Sequence, residues 1–194
     1  MAYADERVFL WINGFVGTIP TLDRVATWLA SDYLIPVSLA LALIMLWFIE
    51  TDREVRERQQ IGVFVALTAM ALSSLGVFIV NAVYFRPRPF ESLDTTLLLY
   101  RPTDYSSFPS NAAVAAFGIA FAVWGVNRRM GTWLIGAAAL YGFARVYAGV
   151  HYPLDIVASV LIAVVVTWLT FKGRDLLMPV LTLVMKAARI LGLA

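Results

Sequence analysis

The sequence predicts an all-α integral membrane protein, a helical bundle of five or six transmembrane helices with an amphipathic N-terminal helix. Three observations carry this reading. Of the 194 residues, 61% are hydrophobic and only 14% charged, with a mean hydropathy of +0.78; soluble chains hold about 45–50% apolar and about 25% charged residues. Apolar runs close to the ~20 residues that a spanning helix needs recur along the chain. The charges gather at the ends of those runs instead of alternating through them.

Residues 5–19 hold an apolar stretch too short and too interrupted by glycine to span. Trp11 and Phe15, four apart, share a helical face, which predicts a helix lying in the interface, with a short first span as the alternative. Pro20 ends it, and Thr21-Leu22-Asp23 restarts a helix with Trp28 and Tyr33 as interfacial anchors. Residues 34–49 form the first span. The charged segment 50–60, read as a loop, closes it. Residues 61–85 form the second span, stopped by Arg86-Pro87-Arg88-Pro89, because proline removes a donor and biases the residue before it away from the α region. A polar loop with Pro102 and the Ser106-Ser107 pair follows. Residues 110–126, 132–149 and 154–171 are the third, fourth and fifth spans. Met178-Pro179, Lys186 and Arg189 favour an amphipathic helix over a sixth span in 176–191.

The chain reads as one membrane-embedded domain over 1–194, with an interfacial segment at 1–31 and a catalytic core at 60–172. It has no cysteine, which excludes a disulfide framework, a thiol-ligated metal and a catalytic thiol. Its one histidine, His151, excludes a multi-histidine zinc site. Neither a metal nor a cofactor is expected. A formal charge of +2 is too small to point to nucleic acid. The start, Met-Ala-Tyr-Ala-Asp-Glu, does not look like a cleaved signal peptide.

Lysine and arginine placement sets the orientation. Arg53, Arg56, Arg58, Arg128, Arg129, Lys172 and Arg174, with Lys186 and Arg189, form the cytoplasmic set. Arg86, Arg88, Arg101 and Arg145 lie at the opposite ends of the spans, with Arg7 and Arg24. The polar stretches therefore face outward at one membrane level.

Three of those stretches converge. The first is 81–89, with Arg86 and Arg88. The second is Phe108-Pro109-Ser110-Asn111-Ala112, which opens a helix. The third holds Arg145, His151 and Asp155. Arginine forks bind phosphate oxygens, and a helix N-terminus offers free N–H groups and a positive dipole end. Ser110 is a natural N-cap whose hydroxyl can turn to an anion. With a helix beginning after Pro153, Asp155 can reach back to one imidazole nitrogen and leave the other free to attack. The chemistry suggested is phosphoryl transfer to His151. Each stretch alone is weak, since Pro-Ser before an apolar run is usually only a helix start. Their order, each at an outer helix end, carries the weight.

On these residues the chain resembles the type-2 phosphatidic acid phosphatases. That family's pattern is a lysine, six residues and Arg-Pro; then Pro-Ser-Gly-His; then Ser-Arg, five residues, His, three residues, Asp. Arg88-Pro89, Pro109-Ser110, and Arg145, His151 and Asp155 match it. The resemblance implies that His151 is the nucleophile, that Asp155 orients it, and that Arg88 and Arg145 grip the phosphate with Ser110. There are departures. Asn81 stands at the lysine position, so that phosphate contact is lost or moved to Arg86. Ala144 replaces the serine, and Asn111 replaces the glycine. Ala112 occupies the position of the histidine that protonates the leaving oxygen and then activates water. Alanine can do neither, and loss of such a group costs roughly 10²–10⁴-fold. Ala112 marks either a decayed member or an inactivating change in an otherwise working enzyme. The intact remainder of the site favours the second.

Val83-Tyr84-Phe85-Arg86-Pro87-Arg88-Pro89-Phe90, Ser107-Phe108-Pro109-Ser110-Asn111 and His151-Tyr152-Pro153-Leu154-Asp155 most resemble the bacterial undecaprenyl-diphosphate phosphatases of the bacitracin-resistance branch. That likeness implies a lipid diphosphate or phosphate as substrate, in a bacterial plasma membrane with the site on the extracytoplasmic side. Phosphatidylglycerol phosphate, phosphatidate, and a non-catalytic phospholipid-binding role stay open.

Overall fold

The structure, a computed structural model, describes residues 2–99 and 106–190. These residues hold nine helices: α1 Ala2–Asn13, α2 Pro20–Ala30, α3 Leu34–Phe48, α4 Arg53–Val83, α5 Pro89–Ser92, α6 Asn111–Val126, α7 Arg128–Tyr147, α8 Pro153–Lys172 and α9 Arg174–Ile190. Each of the five expected spans corresponds to a helix: α3, α4, α6, α7 and α8. Arg101 and Pro102 lie outside the described residues.

The axis of the bundle is α6, packed against α4, α7 and α8. Its sequence explains this position. Ala113, Ala116, Ala120, Ala122 and Val123 are buried around it, and a helix apolar on all sides belongs inside. Small side chains also let neighbouring backbones close in, which is how helices associate in lipid. The outer helices carry their large apolar residues outward: Phe78, Ile79 and Val83 on α4, and Leu161, Val165 and Trp168 on α8, are all exposed.

By length and composition, α4 and α8 can each cross a membrane, and α2 with α3 can do so together, bent by 48° at their break. At 16 residues, α6 is about 24 Å long, shorter than the ~30 Å hydrocarbon layer, but its neighbours enclose it.

Two boundaries differ from expectation. Residues 53–60 are not a loop but the first turns of α4. Asp52 caps them, its side chain accepting from Val55 N–H at 3.0 Å, and Glu54 and Arg58 are spaced to pair along the helix. Between α6 and α7 the connection is the single residue Asn127, which ends one helix and caps the next. Gly131 makes that hairpin possible, since a Cβ there would stand 2.2 Å from the Trp124 Cα.

The N-terminal segment is more than an interfacial anchor. Trp11 and Phe15 are exposed and meet edge to face at 5.5 Å. The other face of α1, with Asp5, Phe9 and Asn13, is buried against the bundle. The latter three are four residues apart in turn, so they form one stripe. In α9, Leu181, Met185 and Ala188 form the buried stripe.

Candidate active site

The ends of α4, α6, α7 and α8 that carry the predicted residues meet at one end of the bundle. There Arg88, Asn111, Ala112, Arg145 and His151 line a single cavity of about 480 Å³, together with Asn81 and Asp32.

His151 sits in the turn between α7 and α8. Gly149 shapes that turn with φ of 88°, in the left-handed region that favours glycine. A Cβ there would also lie 2.8 Å from the Thr96 carbonyl oxygen. Pro153 then opens α8 at a first-turn position where its missing N–H costs nothing.

The imidazole is buried. Its Nδ1 lies 2.9 Å from the Ser107 carbonyl oxygen. A carbonyl only accepts, so Nδ1 carries the proton and Nε2 keeps its lone pair. Nε2 faces Ser110 Oγ at 3.1 Å and Arg88 Nη1 at 3.4 Å, both able to donate to it. Burial, reinforced by the charges of Arg145 and Arg88 and opposed by Asp155, pushes the His151 pKa down to about 4. The ring is therefore neutral at ordinary pH.

Asp155 does not hold the imidazole directly, as the sequence suggested. Its Oδ2 is 3.7 Å from Nδ1, too far for a hydrogen bond. That oxygen accepts instead from Ser107 Oγ at 2.5 Å and Tyr152 N–H at 2.8 Å. The other oxygen accepts from Arg86 Nη1 at 2.7 Å. The carboxylate is one turn into α8 and its ring partner is before the helix, so Ser107, arriving from the opposite loop, fills the gap. The orientation passes through this serine.

Arg86 also departs from its expected role as a phosphate ligand. Nη1 bonds Asp155, Nη2 bonds Asp5 at 2.7 Å, and the guanidinium stacks 3.8 Å from the Tyr152 ring centroid. Its fork is taken by two carboxylates, and Arg86 is not among the cavity-lining residues.

Arg88 and Arg145 do reach the cavity, and both are buried. Arg88 donates to the Val150 carbonyl at 3.2 Å. Arg145 Nη1 is held by Asp32 at 2.8 Å, by the Tyr141 hydroxyl at 3.0 Å and by the Ala30 carbonyl at 3.2 Å. Its Nε is buried without a hydrogen-bond partner, as is Asn81 Oδ1. Unpaired buried polar atoms are rare enough to need a reason, and for the Arg145 Nε donor a bound oxyanion supplies one. Ser110 caps α6, weakly, with Ala113 N–H 3.4 Å from its Oγ. Asn111 and Ala112 open the helix beside it.

Sequence reasoning missed Ser107, Asp5 and Asp32. Ser107 appeared only as half of a polar pair. The acidic residues fall outside the three stretches, and their partners are 81 and 113 positions away.

A neutral imidazole with one nitrogen fixed and the other aimed among buried arginines, at one end of an apolar helical bundle, defines a class: a membrane hydrolase acting on phosphate groups. Comparison with known proteins agrees. Residues 62–178 match the PAP2 superfamily. The chain is 30% identical over 182 residues to undecaprenyl-diphosphatase BcrC of Bacillus subtilis, covering 94% of this chain and 90% of the relative. Among solved structures it resembles LpxE of Aquifex aeolicus, with TM-score 0.66 and 30% identity over 86% of this chain and 93% of that one. A PAP2-type phosphatidylglycerolphosphate phosphatase from Bacillus subtilis shares the fold, with TM-score 0.62 and 20% identity over 90% of this chain and 85% of that one. The chain belongs to the PAP2 superfamily.

Proposed function

We propose that the chain is a lipid phosphatase that removes the terminal phosphate of undecaprenyl diphosphate, through a phosphohistidine at His151, on the extracytoplasmic face of a bacterial plasma membrane. One observation carries the chemistry: His151 Nε2, unprotonated, stands in the lining of a cavity that Arg88 and Arg145 also line. The name of the Bacillus subtilis relative supports the substrate. The arginines and lysine at the far bundle end support the orientation.

In the first step Nε2 attacks the terminal phosphorus. The N–P bond forms, the bond from phosphorus to the bridging oxygen breaks, and the lipid monophosphate leaves with the electron pair. Arg88, Arg145 and the N-terminus of α6 stabilise the charge on the equatorial oxygens. In the second step water attacks phosphorus, the P–N bond breaks, and inorganic phosphate is released.

Ala112 affects the two steps unequally. The leaving group of a diphosphate is itself a phosphate, whose second pKa near 6 lets it depart unprotonated at neutral pH. Water has a pKa of about 15.7 and needs a base. The chain with Ala112 therefore forms the phosphohistidine and stalls there, while Ala112→His turns over.

The test is phosphate release from undecaprenyl diphosphate in detergent by both proteins. Turnover by Ala112→His alone supports the reading. If neither turns over, with glycerolipid phosphates failing too, the binding-protein reading replaces it. The likeness of fold to a phosphatidylglycerolphosphate phosphatase keeps that substrate as the second reading, and direct competition between the two lipids decides between them.

A further inference from the structure

We propose that Asp5 is a positioning residue for phosphoryl transfer at His151, acting through Arg86, Asp155 and Ser107. The inference rests on the reading above.

The side chain of Asp5 is only 1% exposed. Oδ2 accepts from Arg86 Nη2 at 2.7 Å, and Oδ1 accepts from Leu154 N–H at 3.0 Å in the first turn of α8. Beyond Arg86 the contacts close into a ring. Arg86 Nη1 donates to Asp155, Ser107 Oγ donates to Asp155, and Ser107 N–H donates back to the Arg86 carbonyl at 2.8 Å. The group of this ring that reaches the imidazole is the Ser107 carbonyl, which fixes the proton on His151 Nδ1. Asp5 thus holds, from outside, the arginine that shapes the ring.

Anchoring α1 does not require this carboxylate. Phe9 already packs on Val146 and Tyr152. Asn13 donates to the Thr96 and Tyr147 carbonyls and accepts from Thr96 N–H. A buried ion adds a large desolvation cost that an apolar residue would avoid. What the charge adds is electrostatic. Asp5 offsets the charge of Arg86, so that the Asp155 carboxylate, 3.7 Å from the imidazole, is not cancelled by its arginine partner. As Nε2 attacks, positive charge develops on that ring, and a nearby fixed negative charge lowers the barrier. Phosphate binding by Arg88 and Arg145 does not pass through Asp5.

The test uses the chain with Ala112, where the phosphohistidine accumulates, and Asp5→Asn in the same background, with substrate labelled in its terminal phosphate. Asparagine keeps the shape and an acceptor for Leu154 N–H, and removes the charge. Samples quenched in base, where phosphohistidine survives, give the rate constant and the amplitude of its formation. The expected result is a rate constant lower by about tenfold or more, with full amplitude and a half-saturating substrate concentration within about twofold of the parent. A purely structural role instead lowers the amplitude, as the folded fraction falls, and leaves the rate constant unchanged. That result overturns the proposal.

If Asp5→Asn does not fold, Asp5→Glu is measured. It keeps the charge but cannot serve both partners at their present spacing, and an intermediate rate constant at full amplitude is expected. Ser107→Ala combined with Asp5→Asn should be no slower than the slower single variant, because both act along one chain of contacts. Additive losses contradict the proposal. A parent that forms no phosphohistidine overturns the function and this inference together, whereas a phosphorylating parent matched by an equally fast Asp5→Asn overturns the inference alone.

Discussion

The Asp155 carboxylate accepts the Ser107 hydroxyl proton at 2.5 Å and stands 3.7 Å from the imidazole of His151. The aspartate therefore sets the histidine tautomer at one remove, through the Ser107 backbone carbonyl. Where a carboxylate holds a catalytic imidazole directly, its amide replacement costs about 10⁴-fold. Asp155→Asn should cost less here, roughly 10–100-fold in the rate of phosphohistidine formation. Rapid-quench kinetics on the chain with Ala112, where the intermediate accumulates, measures it, and a loss near 10⁴ would point to direct contact during reaction.

The depressed His151 pKa makes a pH prediction. A free imidazole with pKa near 6.5 loses most of its nucleophilic form between pH 7 and pH 5. With a pKa of about 4, His151 keeps it. The kcat/KM profile, which reports the free enzyme, should show no acid limb assignable to His151 above about pH 5. Stability has the opposite tendency. Above about pH 6.5 both folded and unfolded chains hold neutral imidazole. Between there and about pH 4 only the unfolded chain takes up the proton, so this group lowers stability as pH falls through that window. Thermal unfolding in detergent across the same range checks the sign.

Much of this was legible in the sequence, and the failures share a cause. Apolar runs located α3, α4, α6, α7 and α8, because in lipid a spanning segment must satisfy its own backbone as a helix. His151, Arg88, Arg145, Asn111 and Ala112 line one cavity at the helix ends, with Ser110 beside the imidazole at 3.1 Å. Arg86 and Asp155 were placed in the correct region with the wrong partners. Asp5, Ser107 and Asp32 were not found, since a long-range contact between charged groups leaves no local period or spacing to read. The charged start of α4 was taken for a loop because charge was read as a boundary, although its Asp52 cap was visible.

Arg145 is held by Asp32, whose carboxylate lines the same cavity. An incoming phosphate competes with that carboxylate for the guanidinium. Asp32→Asn should strengthen product inhibition by inorganic phosphate severalfold, or about 1 kcal/mol. Arg145→Ala should weaken it. Inhibition constants for the three proteins, measured at one ionic strength, settle the direction.

Arg86 and Arg88 are two residues apart and should behave differently. Arg88→Lys loses a fork in the cavity and should raise KM. Arg86→Lys cannot bridge Asp5 and Asp155 together, so it should lower kcat with little change in KM. Steady-state kinetics on mixed micelles distinguishes the two, and a shared KM defect would count against the separate roles.

The most direct test of the central claim is covalent. The chain carrying Ala112 is mixed with undecaprenyl diphosphate labelled in its terminal phosphate, quenched in base, digested and mapped by mass spectrometry. About one phosphoryl group per chain is expected, acid-labile and located on His151, with an equal amount of lipid monophosphate released. Label on no residue, or on a residue other than His151, while Ala112→His releases phosphate in steady state, would contradict it.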